Sequence, residues 1–95
     1  MADARTWFFY VVRCADGSLY CGISLDPDKR LRVHNAGRGA DYTARRLPVK
    51  LVHTEAYPSK SAARLREMQV KGWRAKKKEE LIRGFPSATP RLRSG

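Results

Sequence analysis

Tyr10 and Tyr20 flank an Asp16-Gly17 pair, Arg30 and His34 follow four residues apart, and a carboxylate, Glu67, comes much later in the chain. These side-chain types cover what hydrolysis of a phosphodiester demands: a group to take a proton from water, positive charge on the phosphoryl oxygens, and help for the leaving oxygen. A planar guanidinium such as that of Arg30 can give two hydrogen bonds to phosphoryl oxygens in a fixed orientation. His34 shares its face if both lie on one helix. Glu67 could ligate one Mg²⁺, a hard ion that commonly takes one or two carboxylates and keeps several waters.

Such groups are useful only if the chain brings them together. Trp7 to Arg13 and Leu19 to Ile23 are rich in aromatic and β-branched residues and read as the strands of a hairpin. A two-residue type I′ loop at Asp16-Gly17 would pair Tyr20 with Arg13 and put Tyr10 and Tyr20 on opposite faces. A three-residue loop, Ala15-Asp16-Gly17, with Gly17 left-handed in a G1 bulge, pairs Cys14 with Ser18 and Tyr20 with Val12. In that second, favoured register the tyrosines are diagonal neighbours on one face, roughly 7–8 Å apart. Cys14 and Cys21 then face opposite sides of the sheet, so reduced thiols are expected.

Asp26 before Pro27 is an N-cap with proline at the first helical position, and Gly37 is a stop, which gives a first helix carrying Arg30 and His34. Residues 38–47 are polar and basic, as expected of an exposed loop. Pro48 to Tyr57 reads as a third strand. A second helix is expected from Ser59 or Ser61 through Ala62, Ala63, Leu65, Met68 and Val70 to about Lys71, with Gly72 interrupting. The third, Ala75 to Arg83, opens with Lys76-Lys77-Lys78 and buries Leu81 and Ile82; Arg74 before it offers no cap. The order β-β-α-β-α-α makes an α+β domain on a three-stranded antiparallel sheet, spanning 6–84, with a basic, disordered tail at 85–95.

The 95 residues carry 20 Lys and Arg against 9 Asp and Glu, a formal net charge of +11 spread over nearly every segment. A polyanion is the natural partner, and nucleic acid is the first choice because scattered cations give salt-sensitive, mostly sequence-independent affinity. No helix has the broad apolar face a membrane surface requires. With no signal peptide behind Met1-Ala2-Asp3-Ala4-Arg5 and no long apolar run, the chain reads as cytoplasmic.

The pair Phe8-Phe9-Tyr10 and Tyr20-Cys21-Gly22 resembles the signature of the GIY-YIG nuclease superfamily, in which two strands build one wall of a phosphodiester-cleaving site. Asp26 to Gly37 looks like that family's arginine helix, and Arg66-Glu67-Met68-Gln69-Val70-Lys71 like its glutamate helix. Similarity covers about residues 7–83 and is greatest to the small stand-alone bacterial, YhbQ-type members, including the Gly37-Arg38-Gly39-Ala40-Asp41-Tyr42-Thr43 loop. The resemblance implies a metal-dependent hydrolase in which Tyr20 is general base, Tyr10 positions water or phosphate, Arg30 clamps the phosphate and Glu67 holds Mg²⁺ or Mn²⁺. A free tyrosine is only ~0.1% ionised at pH 7, so His34 is an alternative proton acceptor, acting directly or through Tyr20. Glu55, Glu79 and Glu80 lack the family's surroundings. Phe8, Phe9 and Cys21 depart from the signature in packing more than chemistry. Ser24 stands where several members carry lysine or threonine; if that lysine lowers the tyrosine's pKa in them, its role here is unfilled or passes to His34.

The expected activity is a structure- or end-selective DNA nuclease of repair or turnover, with DNA ranked ahead of RNA. Arg38, Arg45, Arg46, Lys71, Lys76 and Lys77 are the candidate nucleic-acid contacts. The contrasting reading is a non-catalytic binding module, against which Glu67 speaks: a buried carboxylate repels phosphate unless a metal intervenes. A third is a catalytic subunit for a separate targeting protein; under any of these readings a monomer or weak dimer is expected.

Overall fold

A computed structural model describes residues 5–84; the expected tail at 85–95 lies outside the described residues. Strand β1 (Trp7–Arg13) runs down the middle of an antiparallel sheet, with β2 (Leu19–Ser24) on one side and β3 (Lys50–Tyr57) on the other. Its central position explains its composition. Phe9, Tyr10, Val11 and Val12 are all buried, as a strand covered on both faces requires. On one face Phe9, Val11 and Cys21 pack with Val70 of α3 (Lys60–Lys71), joined by Leu81 and Ile82 of α4 (Ala75–Ile82). On the other, Tyr10, Val12, Cys14 and Val49 meet Tyr20 and Leu31, the latter from α1 (Pro27–Asn35). The sheet is therefore a partition between two helical layers. Among the described residues no helix is long and apolar enough to cross a membrane.

The hairpin closes in the three-residue register. Cys14 N–H donates to Ser18 O at 2.8 Å, Gly17 has φ +88°, and Tyr20 pairs with Val12 while Tyr10 pairs with Gly22. Tyr10 and Tyr20 thus share a face, and Cys14 and Cys21, both free, lie on opposite ones. Helix α1 starts as the Asp-Pro pattern requires: the Asp26 side chain accepts from Lys29 N–H at 3.1 Å and Pro27 opens the first turn. Ser59 caps α3 in the same way, whereas Arg74 gives α4 no side-chain cap.

Two local expectations are corrected. The third strand begins at Lys50, not Pro48, and a bulge opposite Val11 and Val12 makes Val52 the extra residue. The segment 38–47 is not all loop: Asp41–Ala44 forms a single helical turn, α2, that buries Thr43. On α3 the face turned to the sheet is Ala63, Glu67 and Val70, while Leu65 and Met68 are 68% and 62% exposed. The buried carboxylate Glu67 thus sits between Ala63 and Val70 on the face that packs on the sheet.

Glu55 fastens β3 to α3. It accepts from Arg66 Nε at 2.9 Å, Arg66 Nη2 at 3.2 Å, Tyr57 OH at 2.6 Å and His53 Nε2 at 2.8 Å. Burial alone would raise its pKa, but the bonds from His53, Arg66 and Tyr57 prevail and hold it at about 2. The same carboxylate, after burial, helps push Tyr57 up to about 12. From the ordinary 4.5 down to about 2, this linkage contributes about 3 kcal/mol at neutral pH. The folded pKa is depressed, so the contribution is complete above pH 4.5 and disappears as pH falls through about 2. Glu55→Gln is expected to lose about 2–4 kcal/mol at pH 7 in urea unfolding, with the gap to wild type closing towards pH 2.5. An equal gap at both pH values would contradict this account.

Candidate active site

Tyr10 reaches across the hairpin. A Cβ built on its partner Gly22 would lie 2.5 Å from the Tyr10 hydroxyl and 2.6 Å from its Cζ, so the phenol occupies the space that any other residue's side chain would fill. From there it meets His34 of α1, which is fully buried, at 2.9 Å from Nε2. The proton's position follows from the next link. Thr43 Oγ1 donates to Ala40 O at 2.9 Å, which leaves it to accept from His34 Nδ1 at 2.8 Å. Nδ1 therefore carries the imidazole's proton, and Tyr10 O–H donates to Nε2. Gly39 completes the arrangement, since a Cβ there would overlap His34 Nδ1.

The electrostatics agree with this chain of donors. Burial, and secondarily the Arg30 charge, hold His34 below the ordinary 6.5, favouring the neutral ring. Burial raises the Tyr10 pKa above 10.0, against the lowering by Arg30 and with Tyr20 and Glu67 adding to the rise. Tyr10 is thus a neutral donor, with Arg30, Tyr20 and Glu67 all within its electrostatic reach. For stability, His34 is neutral in both states above pH 6.5; below it the unfolded chain takes up the proton first, so stability falls with pH. A carbon-resolved NMR titration should place the His34 midpoint below 6.5, and a midpoint at or above 6.5 would overturn the assignment.

Tyr20 is half-buried. Its ring meets His34 edge-on with centroids 5.5 Å apart and stacks on Tyr42 at 6.0 Å and 22°. Behind Tyr42 the Arg46 guanidinium sits 3.8 Å from the ring centre, with its Nε donating to Asp16 Oδ2 at 3.1 Å. The hairpin turn, α2 and Tyr20 are therefore tied in one stack. On the other side Lys71 Nζ lies 6.0 Å from the Tyr20 ring centre and 3.2 Å from Glu67 Oε2, while Arg64 Nε is 3.7 Å from Glu67 Oε1. Glu67 belongs to the layer behind the sheet, but β2 is an edge strand, so groups from both layers meet at its rim.

The fold brings Tyr10, Tyr20, Arg30, His34, Glu67 and Lys71 into one neighbourhood. It engages Arg46 in the Tyr42 stack, leaves Arg38 and Arg45 exposed, and places Lys76 and Lys77 on α4, where Lys77 Nζ lies 4.3 Å from the Trp73 ring centre. The hydrogen bonds of His34 go to Tyr10 and Thr43, so both of its ring nitrogens are engaged. Spacing gives Thr43, Tyr42 and Gly39 no role; the signal for them is their place in the Gly37-to-Thr43 loop that carries part of the family resemblance. Glu55 and Glu79 are committed elsewhere, Glu79 to Arg13 at 2.6 Å.

Among the described residues no three His, Cys, Asp or Glu cluster as a metal cage. Glu67, a carboxylate 9% exposed whose ion pairs are with Arg64 and Lys71, nevertheless fits a Mg²⁺ that keeps most of its waters.

Comparison with known proteins gives a consistent result. The chain is 49% identical over 80 residues to a UPF0213 protein of Bacillus pumilus, covering 84% of this chain and 82% of that one. It is 47% identical over 74 residues to UPF0213 protein HQ_3675A of Haloquadratum walsbyi, covering 78% and 83%. The solution structure of EF2693 from E. faecalis superposes with TM-score 0.61 at 35% identity over the whole of both chains. That of the UPF0213 protein BH0048 from Bacillus halodurans gives 0.54 at 36%, covering 94% of this chain and 99% of the other. The profile of the GIY-YIG catalytic domain matches residues 6–80, across the tyrosine hairpin, the Arg30 helix and Glu67, and the chain therefore belongs to the GIY-YIG family.

Proposed function

We propose that this protein is a metal-dependent DNA nuclease that hydrolyses phosphodiester bonds with little sequence preference, in DNA repair or turnover. The observation that carries the reading is the buried Glu67 carboxylate at the same rim as Tyr10, Tyr20 and Arg30, in a chain of net charge +11. A surface built only to hold DNA gains nothing from a buried carboxylate facing phosphate.

In this reading Arg30 holds two phosphoryl oxygens and offsets the charge that builds on them. Tyr20, its ring fixed between the Tyr42 stack and the edge of His34, is the base that takes the proton from the attacking water. Tyr10 keeps its own proton, delivers it towards His34, and presents its oxygen to Arg30, so it orients the clamp rather than accepting a proton. His34 is a positioning residue whose ring is locked by Thr43. Glu67 would hold Mg²⁺ or Mn²⁺, which when bound supplies charge stabilisation at the phosphate and the leaving oxygen. Lys71, beside Glu67, and the exposed Arg38 and Arg45 contribute phosphate contacts, with Lys76 and Lys77 extending the basic surface.

The test is cleavage of end-labelled single-stranded, duplex, flap and branched DNAs at low salt with Mg²⁺, Mn²⁺ or chelator, for wild type and Tyr20→Phe. Metal-dependent products that vanish with Tyr20→Phe support the reading; tight binding with no cleavage of any substrate would replace it with the binding module.

A further inference from the structure

Where the hairpin opens, β1, the end of β2 and α1 enclose a groove of about 500 Å³, of which the roles above use only Arg30. Its walls are unlike the rest of this basic surface. Trp7, Ile23, Leu25 and Val33 give it an aromatic and aliphatic interior, and Lys29 and Arg30 stand on its margin. Lys60 adds a further cation 5.3 Å from the Trp7 ring centre. Asp26 also borders the groove, but its carboxylate already accepts from the Lys29 amide at the start of α1. The volume falls in the range of small-molecule sites, about 300–1,000 Å³.

Apolar walls beside a cationic margin match a nucleotide, which is a flat, weakly polar base joined to an anion. Arg30 is shared between this groove and the Tyr10 cluster, so a phosphate held by Arg30 places the adjoining nucleoside at the groove's mouth. We propose that the groove receives the base of the nucleotide adjoining the phosphate that Arg30 engages. This rests on the nuclease reading for its substrate and adds to it the substrate's form. A base inside a duplex is stacked and paired, whereas one seated among Trp7, Leu25 and Val33 is neither. The favoured substrate is therefore DNA with an unpaired nucleotide beside the cut, as in single strands, flaps and frayed ends.

The experiment is a titration of the ¹⁵N- and methyl-labelled full chain, in chelator, with dAMP, dTMP, deoxyribose 5-phosphate and inorganic phosphate. The two nucleotides should shift the Trp7 indole N–H and the Leu25 and Val33 methyls, and bind about 5- to 100-fold more tightly than deoxyribose 5-phosphate. Trp7→Leu and Val33→Gln, each checked for a native-like spectrum, should bring nucleotide affinity down to that of the sugar phosphate. Equal affinity for nucleotide and sugar phosphate, or shifts confined to Tyr42 and Arg45, would sink the groove. Because no metal or cleavage is involved, the two proposals fail separately. Base-dependent binding without cleavage of any DNA would retain the groove and remove the nuclease; cleavage without base-dependent binding would do the reverse.

Discussion

Glu67→Gln is expected to lower metal-dependent cleavage by roughly 10³-fold or more while leaving affinity for DNA in chelator unchanged or raised. The substitution is isosteric, so the contacts α3 makes through Ala63 and Val70 survive. What it removes is the negative charge compensated by Lys71 and Arg64, whose nitrogens are then free to meet phosphate. The two readouts therefore move in different directions, which a general loss of folding would not produce. Single-turnover cleavage with Mg²⁺ or Mn²⁺, beside fluorescence anisotropy without metal, measures both. Equal cleavage by wild type and variant would remove Glu67 from the site.

Gly22→Ala should be the most damaging single-methyl change in the sheet. The new Cβ would fall on the Tyr10 hydroxyl and Cζ, inside non-bonded contact distance, and the ring is itself buried between β2 and α1. Tyr10 must swing away, parting from His34 Nε2, and overpacking of this sort costs about 1–3 kcal/mol. If the proposed nuclease reading holds, cleavage should fall about 10- to 100-fold with it, since Arg30 loses the phenol oxygen it faces. A thermodynamic cycle checks the cause. In a Tyr10→Leu background, where the ring is gone, Gly22→Ala should cost under about 0.5 kcal/mol in urea unfolding. If it costs as much as in wild type, backbone effects at Gly22 rather than the phenol explain the loss.

Much of this site could be read from the chain because its geometry is set by short-range rules. Gly17 fixes the turn, the turn fixes the register, and the register puts Tyr10 and Tyr20 on one face. Asp26-Pro27 starts α1 and so aligns Arg30 with His34. Relations between distant segments were harder to read. That His34 bonds to Tyr10 depends on how α1 lies across the sheet, and that Thr43 sets its tautomer depends on a helical turn with no side-chain cap. The helix letters alone also leave open which face of α3 is buried: Leu65 and Met68 are exposed, while Glu67 is taken inside with Ala63 and Val70.

The two free cysteines make the partition visible by chemistry. Cys14 lies in the layer of Tyr10 and His34, and Cys21 in the layer of Phe9 and Val70, with burial raising the Cys21 thiol's pKa. Alkylation of each requires its own layer to part from the sheet, so the two labelling rates, read by peptide mass, time the opening of each half of the molecule independently.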